Sequence, residues 1–187
     1  MKDTEGYDLR IETTRLSIRP LQEHDLPALE LILGDAITMT AYEGAFSPRE
    51  CASWLRRQRE RYATDGCGLW AVVERSTGEL VGQCGITRQL IDSDEVWEVG
   101  YLFRRDVWGR GFATEAASAS RDWAFEALDA DAIFAKVRDT NIASMNVAIR
   151  LGMTVQRSFT VNYRGVDMRH LAFAIDRATW RSGSDRV

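Results

Sequence analysis

Between Trp97 and Glu115 the chain carries residue types and spacings that could bind an anion. Trp97-Glu98-Val99-Gly100-Tyr101-Leu102-Phe103 is an apolar, β-prone run that stops at Arg104-Arg105-Asp106. Trp108-Gly109-Arg110-Gly111-Phe112-Ala113-Thr114-Glu115 follows and leads straight into an alanine-rich helical pattern. A strand, a glycine turn and a helix start in that order leave unpaired backbone N–H groups around a concavity. The helix N-terminus adds about half a positive charge. A phosphate-bearing ligand is expected to dock there, with the neighbouring strand edge holding the rest of it. Glu98, on that strand, is a carboxylate able to take a proton. Asn141 and Ser144 are spaced to share one face of a later helix.

Three phosphate-binding patterns compete for the glycine turn. A Walker A loop fails, because no Lys-Ser or Lys-Thr follows the glycines. A dinucleotide fingerprint fits in half: Gly109 and Gly111 supply G-x-G, but Thr114 stands where the third glycine belongs. Asp129 and Asp131 then come before the next strand, where the ribose partner would stand at its end. The third pattern depends on the rest of the chain.

With 187 residues and 45% hydrophobic content, the chain can bury one substantial core and is short for two domains. A net charge of −4 speaks against a general nucleic-acid binder, which needs a basic face. No apolar run approaches the ~20 residues that span a bilayer, and no signal-peptide h-region opens the chain. Cys51, Cys67 and Cys84 form no C-x-x-C pair, so a reduced, cytoplasmic protein is expected. His24 and His170 lie far apart in the sequence, and no metal site is expected.

The positioning elements follow from local signals. Residues 16–19 alternate as a short strand ending at Pro20, and Asp25 is placed to cap a helix through Leu33. Ser47-Pro48-Arg49-Glu50 is a capping box opening a helix to about Ala63. Residues 69–74 and 80–86 read as a hairpin around Ser76-Thr77-Gly78. Strand 95–103, helix 112–127, strand 132–137 and helix 141–151 come next, the last ended by Gly152. Strands 154–163 and 166–175 close the chain around Arg164-Gly165. The order β-α-α-β-β-β-α-β-α-β-β predicts an α/β (α+β) fold. Its mixed, mostly antiparallel sheet would carry helices on both faces and one strand–helix–strand crossover.

The glycine segment resembles the acyl-coenzyme A loop of the GNAT superfamily of N-acetyltransferases, Q/R-x-x-G-x-G/A, with Trp108 in the first position. The longer run Trp-Gly-x-Gly-Phe-Ala-Thr-Glu-Ala is similar to the subgroup that acetylates N-termini of ribosomal proteins. So are Glu12-Thr13-Thr14-Arg15-Leu16 through Arg19-Pro20-Leu21, and Gly78-Glu79-Leu80-Val81-Gly82-Gln83-Cys84-Gly85. Asn141-x-x-Ser144 followed by Arg150-Leu151-Gly152-Met153 completes the match. The resemblance covers nearly all of residues 1–187 as one acyl-CoA N-acyltransferase domain.

It implies acetyl-CoA as cosubstrate and direct attack of an amine on the thioester. Backbone N–H groups from Arg110 to Thr114 would cradle the pyrophosphate, within a loop running from Trp108. The pantetheine arm would lie against Tyr101, Leu102 and Phe103, where strand 97–103 splays from its neighbour, and would also meet Asn141. Glu98 is the candidate base, with Asp92, Asp94 and Glu95 as loop alternatives. Many members carry a tyrosine seven residues after the motif asparagine; here Ala148 stands there, which leaves Ser144 as the candidate at the leaving sulfur. The subgroup points to a protein or peptide N-terminus, toward which the acidic loop 92–95 could draw a cationic segment. A small amine (aminoglycoside, polyamine or amino acid), or an acyl-CoA-binding module without turnover, is the alternative. The resemblance leaves a homodimer open.

Overall fold

The structure is a computed structural model and describes residues 7–42, 44–163 and 165–184. Strands β1 (Ile11–Glu12) and β2 (Leu16–Arg19) precede helices α1 (Leu26–Leu33) and α2 (Pro48–Thr64). β3 (Leu69–Glu74), β4 (Leu80–Ile91) and β5 (Asp94–Phe103) form an antiparallel meander. Helix α3 (Phe112–Ala127) crosses to β6 (Ala132–Arg138), and α4 (Ile142–Arg150) follows. The hairpin of β7 (Thr154–Tyr163) and β8 (Val166–Asp176) precedes α5 (Arg177–Ser184). The eight strands lie in the order β1-β2-β3-β4-β5-β6-β8-β7, with β5 and β6 parallel. The mixed, mostly antiparallel sheet expected from the sequence is observed.

Local chemistry explains most boundaries. Ser47 N–H donates to Glu50 Oε2 at 2.7 Å and Glu50 N–H returns to Ser47 Oγ at 3.3 Å, so the capping box starts α2. Gly152, at φ +79°, ends α4. Asp25 does not cap α1. Its carboxylate takes both terminal nitrogens of Arg19 at 2.8 Å and the Gln22 N–H at 2.8 Å, and is spent on fixing the chain entry. Two elements escape the sequence pattern. β1 is too short to show alternation, and α5 is held by Trp180 stacking on Phe125 at 4.8 Å. In the last hairpin turn, Arg164 lies outside the described residues.

Strand alternation sorts side chains into two large cores, and Ile91, Val96, Phe159 and Ala172 form a third, smaller cluster. One face buries Trp70, Cys84, Ile86, Val99 and Ile133 with Phe112 and Phe125 of α3 and Ala148 of α4. The other packs Ala71 and Leu80 with Leu29 and Ile32 of α1 and Leu55 of α2. Each fully buried Leu, Ile or Phe contributes about 1.5–3 kcal/mol. No helix among the described residues is long and apolar enough to cross a membrane.

The sheet opens at its centre. β5 pairs with β4 throughout, from Ile91↔Asp94 to Gly82↔Phe103. It pairs with β6 at Trp97↔Ile133 and Glu98↔Phe134, and β6 then follows β8 from Ala135↔Phe173 to Arg138↔His170. Beyond Glu98 the two arms part.

Candidate active site

The glycine turn stands at the mouth of this opening. Gly109 and Gly111 adopt φ of +75° and +83°, the left-handed region in which a side chain is strained. Gly111 is the N-cap of α3 and offers no side-chain cap. Helical bonding starts with Glu115 N–H on Gly111 O at 3.0 Å. The N–H groups of Phe112, Ala113 and Thr114 precede it and have no intrahelical acceptor. An anion is their natural partner. Arg110 is placed differently from the expectation. Its N–H goes to Val107 O at 3.4 Å and its guanidinium pairs with Glu74, so the donors of the cradle begin after it.

The turn is braced from the start of the chain, which the sequence pattern did not reveal. Glu115 Oε1 accepts Thr13 Oγ1–H at 2.6 Å and Arg15 N–H at 2.9 Å. Arg15 Nε donates to Glu115 Oε2 at 2.7 Å, and Arg15 Nη1 reaches Arg110 O at 2.8 Å. Burial pushes the Glu115 carboxyl up, but the bonds from Thr13 and Arg15 outweigh it and hold the group below its usual value. The guanidinium groups of Arg110 and Arg15 lie 4.4 and 4.8 Å from the centre of the buried Phe112 ring. The run Thr13-Thr14-Arg15 in the sequence signal is therefore a strut for the loop about a hundred residues away.

Register decides which strand groups face the opening. Arg104 N–H donates to Val81 O at 2.9 Å. Alternation along an antiparallel strand then turns the backbone of Leu102 toward β4 and that of Val99, Tyr101 and Phe103 toward the gap. Leu102 thus leaves the expected trio; its side chain packs with the α1–α2 core, and Val99 takes its place along the edge. The Phe103 carbonyl is already occupied by Trp108 Nε1–H at 2.9 Å. That bond gives Trp108 a role in closing the end of the strand.

Glu98 stands at the apex where the arms part. It shares a face with Leu102, and hence with α1 and α2. Its Oε1 accepts Lys136 N–H at 3.3 Å, and its Oε2 lies 3.6 Å from Lys136 Nζ. Burial pushes the carboxyl up, and Lys136 offsets only part of that. Such a carboxylate is more basic than an exposed one. Lys136 Nζ also donates to Gln89 Oε1 at 3.1 Å, which anchors the pair.

Tyr101 projects to the opposite face and donates its phenol to Ser144 O at 2.9 Å. Desolvation raises its pKa, so the phenol stays protonated. Asn141 Oδ1 caps α4 by accepting Ser144 N–H at 3.1 Å. Ser144 is therefore fixed through both its backbone groups, one helical turn before the buried Ala148.

The acidic loop does not serve the site. Asp94 pairs with Arg157 Nη2 at 2.7 Å, Asp92 with Arg157 Nε at 3.5 Å, and Glu95 with Arg88 at 3.3 Å. These groups sit at the far tip of the β4–β5 hairpin, where arginines satisfy them, so they neither replace Glu98 nor offer free charge to an acceptor. All three cysteines are buried, and burial pushes Cys67 and Cys84 up to about 12, which suits structural thiols. No group of three or more His, Cys, Asp or Glu among the described residues is placed to hold a metal.

The acetyltransferase (GNAT) domain family matches residues 15–154, and the chain belongs to the GNAT acetyltransferases, a family whose fold implies use of acetyl-CoA. Among its relatives, the uncharacterized protein YkkB of Bacillus subtilis (strain 168) is 34% identical over 145 residues, covering 77% of this chain and 84% of that protein. An acetyltransferase from Agrobacterium tumefaciens str. C58 superposes with a TM-score of 0.77 at 28% identity, covering 91% of this chain and 95% of its own. A ribosomal-protein-S5-alanine acetyltransferase from Vibrio fischeri shares the fold, with a TM-score of 0.71 at 17% identity over 92% of this chain and 99% of that one.

Proposed function

We propose that the protein moves the acetyl group of acetyl-CoA to the α-amine at the N-terminus of a protein or peptide in the cytoplasm. The observation that carries this reading is the partly buried Glu98 at the apex of the opening, on the face opposite Tyr101 and α4. Acetyl-CoA supplies an activated thioester acetyl. The N–H groups of Gly111, Phe112, Ala113 and Thr114 hold its pyrophosphate, while Gly109 and Arg110 shape the turn. At φ +83° a side chain on residue 111 is strained, and its Cβ would come within 3.3 Å of Arg15 Nη2, so glycine is the residue this turn favours. The edge groups of Val99 and Tyr101, with the Phe103 N–H, receive the pantetheine amides, joined by Asn141. Glu98 takes the proton of the attacking amine. Ser144, positioned by Asn141 and Tyr101, serves the departing sulfur.

The choice of an α-amine rests on chemistry at Glu98. Lys136 holds the carboxylate and tempers its basicity, and an amine with pKa near ~8 is far more often neutral at cellular pH than one near ~10.4. The likeness to a ribosomal-protein acetyltransferase supports the same choice. Two peptides of one sequence provide the test, one with a free α-amine and blocked lysines, the other N-terminally acetylated with free lysines. Coenzyme A release should be faster with the first. Faster turnover of the second would refute the α-amine, and turnover of polyamines or aminoglycosides alone would assign a small-molecule acceptor.

A further inference from the structure

Lys136 comes two residues past Glu98↔Phe134, the last pair of the β5–β6 ladder, on the arm that parts from β5. It meets the Glu98 carboxylate twice. Its backbone N–H donates to Oε1 at 3.3 Å, and its Nζ stands 3.6 Å from Oε2. The Nζ also donates to Gln89 Oε1 at 3.1 Å, and Gln89 Nε2 donates to Thr87 Oγ1 at 3.2 Å. An ammonium can only donate, so Gln89 turns its oxygen to Lys136 and its nitrogen to Thr87. Thr87 is in turn paired with Glu98 across β4 and β5. The contacts therefore close a loop over three strands at the point where the sheet opens.

The grip occupies one acceptor position on each carboxylate oxygen and leaves the other for a substrate. Neither side chain is sealed from solvent, with Glu98 14% and Lys136 20% exposed. Arg61 of α2 attracts the carboxylate in the same direction as Lys136 and more weakly. The phenols of Tyr42, between α1 and α2, and of Tyr101 are kept protonated by burial and bring no charge to it. His170 of β8, paired in register with Arg138, is held neutral by burial and by the charges of Lys136 and Arg138. Lys136 is thus the cation that burial of the carboxylate has to be set against.

We propose that Lys136 is the positioning residue of the base: tethered through Gln89, its ammonium holds the Glu98 carboxylate at the apex in the charged form that can take the proton of the attacking amine. The inference rests on the reading of Glu98 as base and adds what keeps that base ready. A cation beside a carboxylate favours the ionised form, whereas desolvation favours the acid. Without the ammonium, desolvation acts with less opposition, and Glu98 keeps a proton to higher pH. A protonated Glu98 has no use as a base.

The test is the pH profile of kcat/KM for alanylglycine amide at saturating acetyl-CoA, corrected to the neutral amine. Lys136→Met should move the acidic midpoint up by about one pH unit or more, with turnover returning toward the unaltered plateau at higher pH. Lys136→Arg keeps the charge and should leave the midpoint close to that of the unaltered protein. Lys136→Gln carries the same expectation as methionine and replaces it if that variant does not fold. An unmoved midpoint with a lower plateau at every pH would mark Lys136 as structural and overturn the inference, while Glu98 stood as base. An acidic limb that survives unchanged in Glu98→Gln would overturn the base and this inference with it.

Discussion

Helices α3 and α4 both begin beside the parted strands, yet they treat their first-turn donors in opposite ways. At α4, Asn141 Oδ1 accepts Ser144 N–H at 3.1 Å, so the helix satisfies part of its own start. At α3, Gly111 brings no side chain, and the helix leaves its donors to whatever docks there. A capped start is worth about 1 kcal/mol to the fold. An uncapped start forgoes that gain and keeps a preorganised anion site. The external strut from Thr13 and Arg15 to Glu115 offsets the missing cap, holding the turn rigid without covering its donors.

The comparison is broken most severely by putting a negative side chain at the start of α3. Gly111→Asp brings a negative charge to the start of α3, beside Arg15 Nη2 and where the anion would dock, and aspartate tolerates the left-handed conformation better than most residues. Coenzyme A should then lose its thermal stabilisation, with affinity falling by roughly 100-fold or more, while circular dichroism shows a folded protein. Retained stabilisation would mean that the pyrophosphate lies elsewhere.

Next in size is the base. Glu98→Gln should lower kcat by roughly 10²-fold and leave the KM for acetyl-CoA within a factor of a few. Because burial raises the Glu98 pKa, activity of the unaltered protein should fail as pH drops through a midpoint above the ordinary glutamate value. With rates corrected for the neutral fraction of the acceptor amine, that limb should vanish in the variant; corrected profiles identical in both proteins would clear Glu98.

The strut carries a smaller effect. Glu115→Gln should destabilise the protein by about 1–2 kcal/mol at neutral pH and weaken coenzyme A binding. The Glu115 pKa is depressed in the folded state, so its contribution is fully present above the unfolded value near ~4.5 and is lost as pH falls through the folded value. Melting curves of the two proteins should converge in acid; a gap that persists there would assign the loss to packing.

The smallest effects sharpen the contrast between caps. Asn141→Ala and Ser47→Ala should each cost about 1 kcal/mol in denaturant titrations. Only the first should also lower turnover, because Asn141 borders the opening while Ser47 opens α2. Equal turnover in both variants would reduce Asn141 to a cap alone.

Much of this arrangement was written in short stretches of sequence. Ser47 and Glu50, the glycines at 109, 111 and 152, and the β-prone run within residues 95–103 act through backbone sterics and hydrogen bonds within a few residues, so local pattern suffices to place them. The order of strands around one crossover, and the turn at the carboxyl end of β5, follow from the same signals. What the tertiary structure decided are pairings across long sequence separations. Glu115 meets Thr13 and Arg15, Arg157 neutralises Asp92 and Asp94, and Trp54 takes the Gln83 oxygen. Whether Val99 or Leu102 offers its backbone to the opening depended on the β4 register, since a one-residue slip reverses every group along a strand. Those choices are made by packing and register, which no single segment contains.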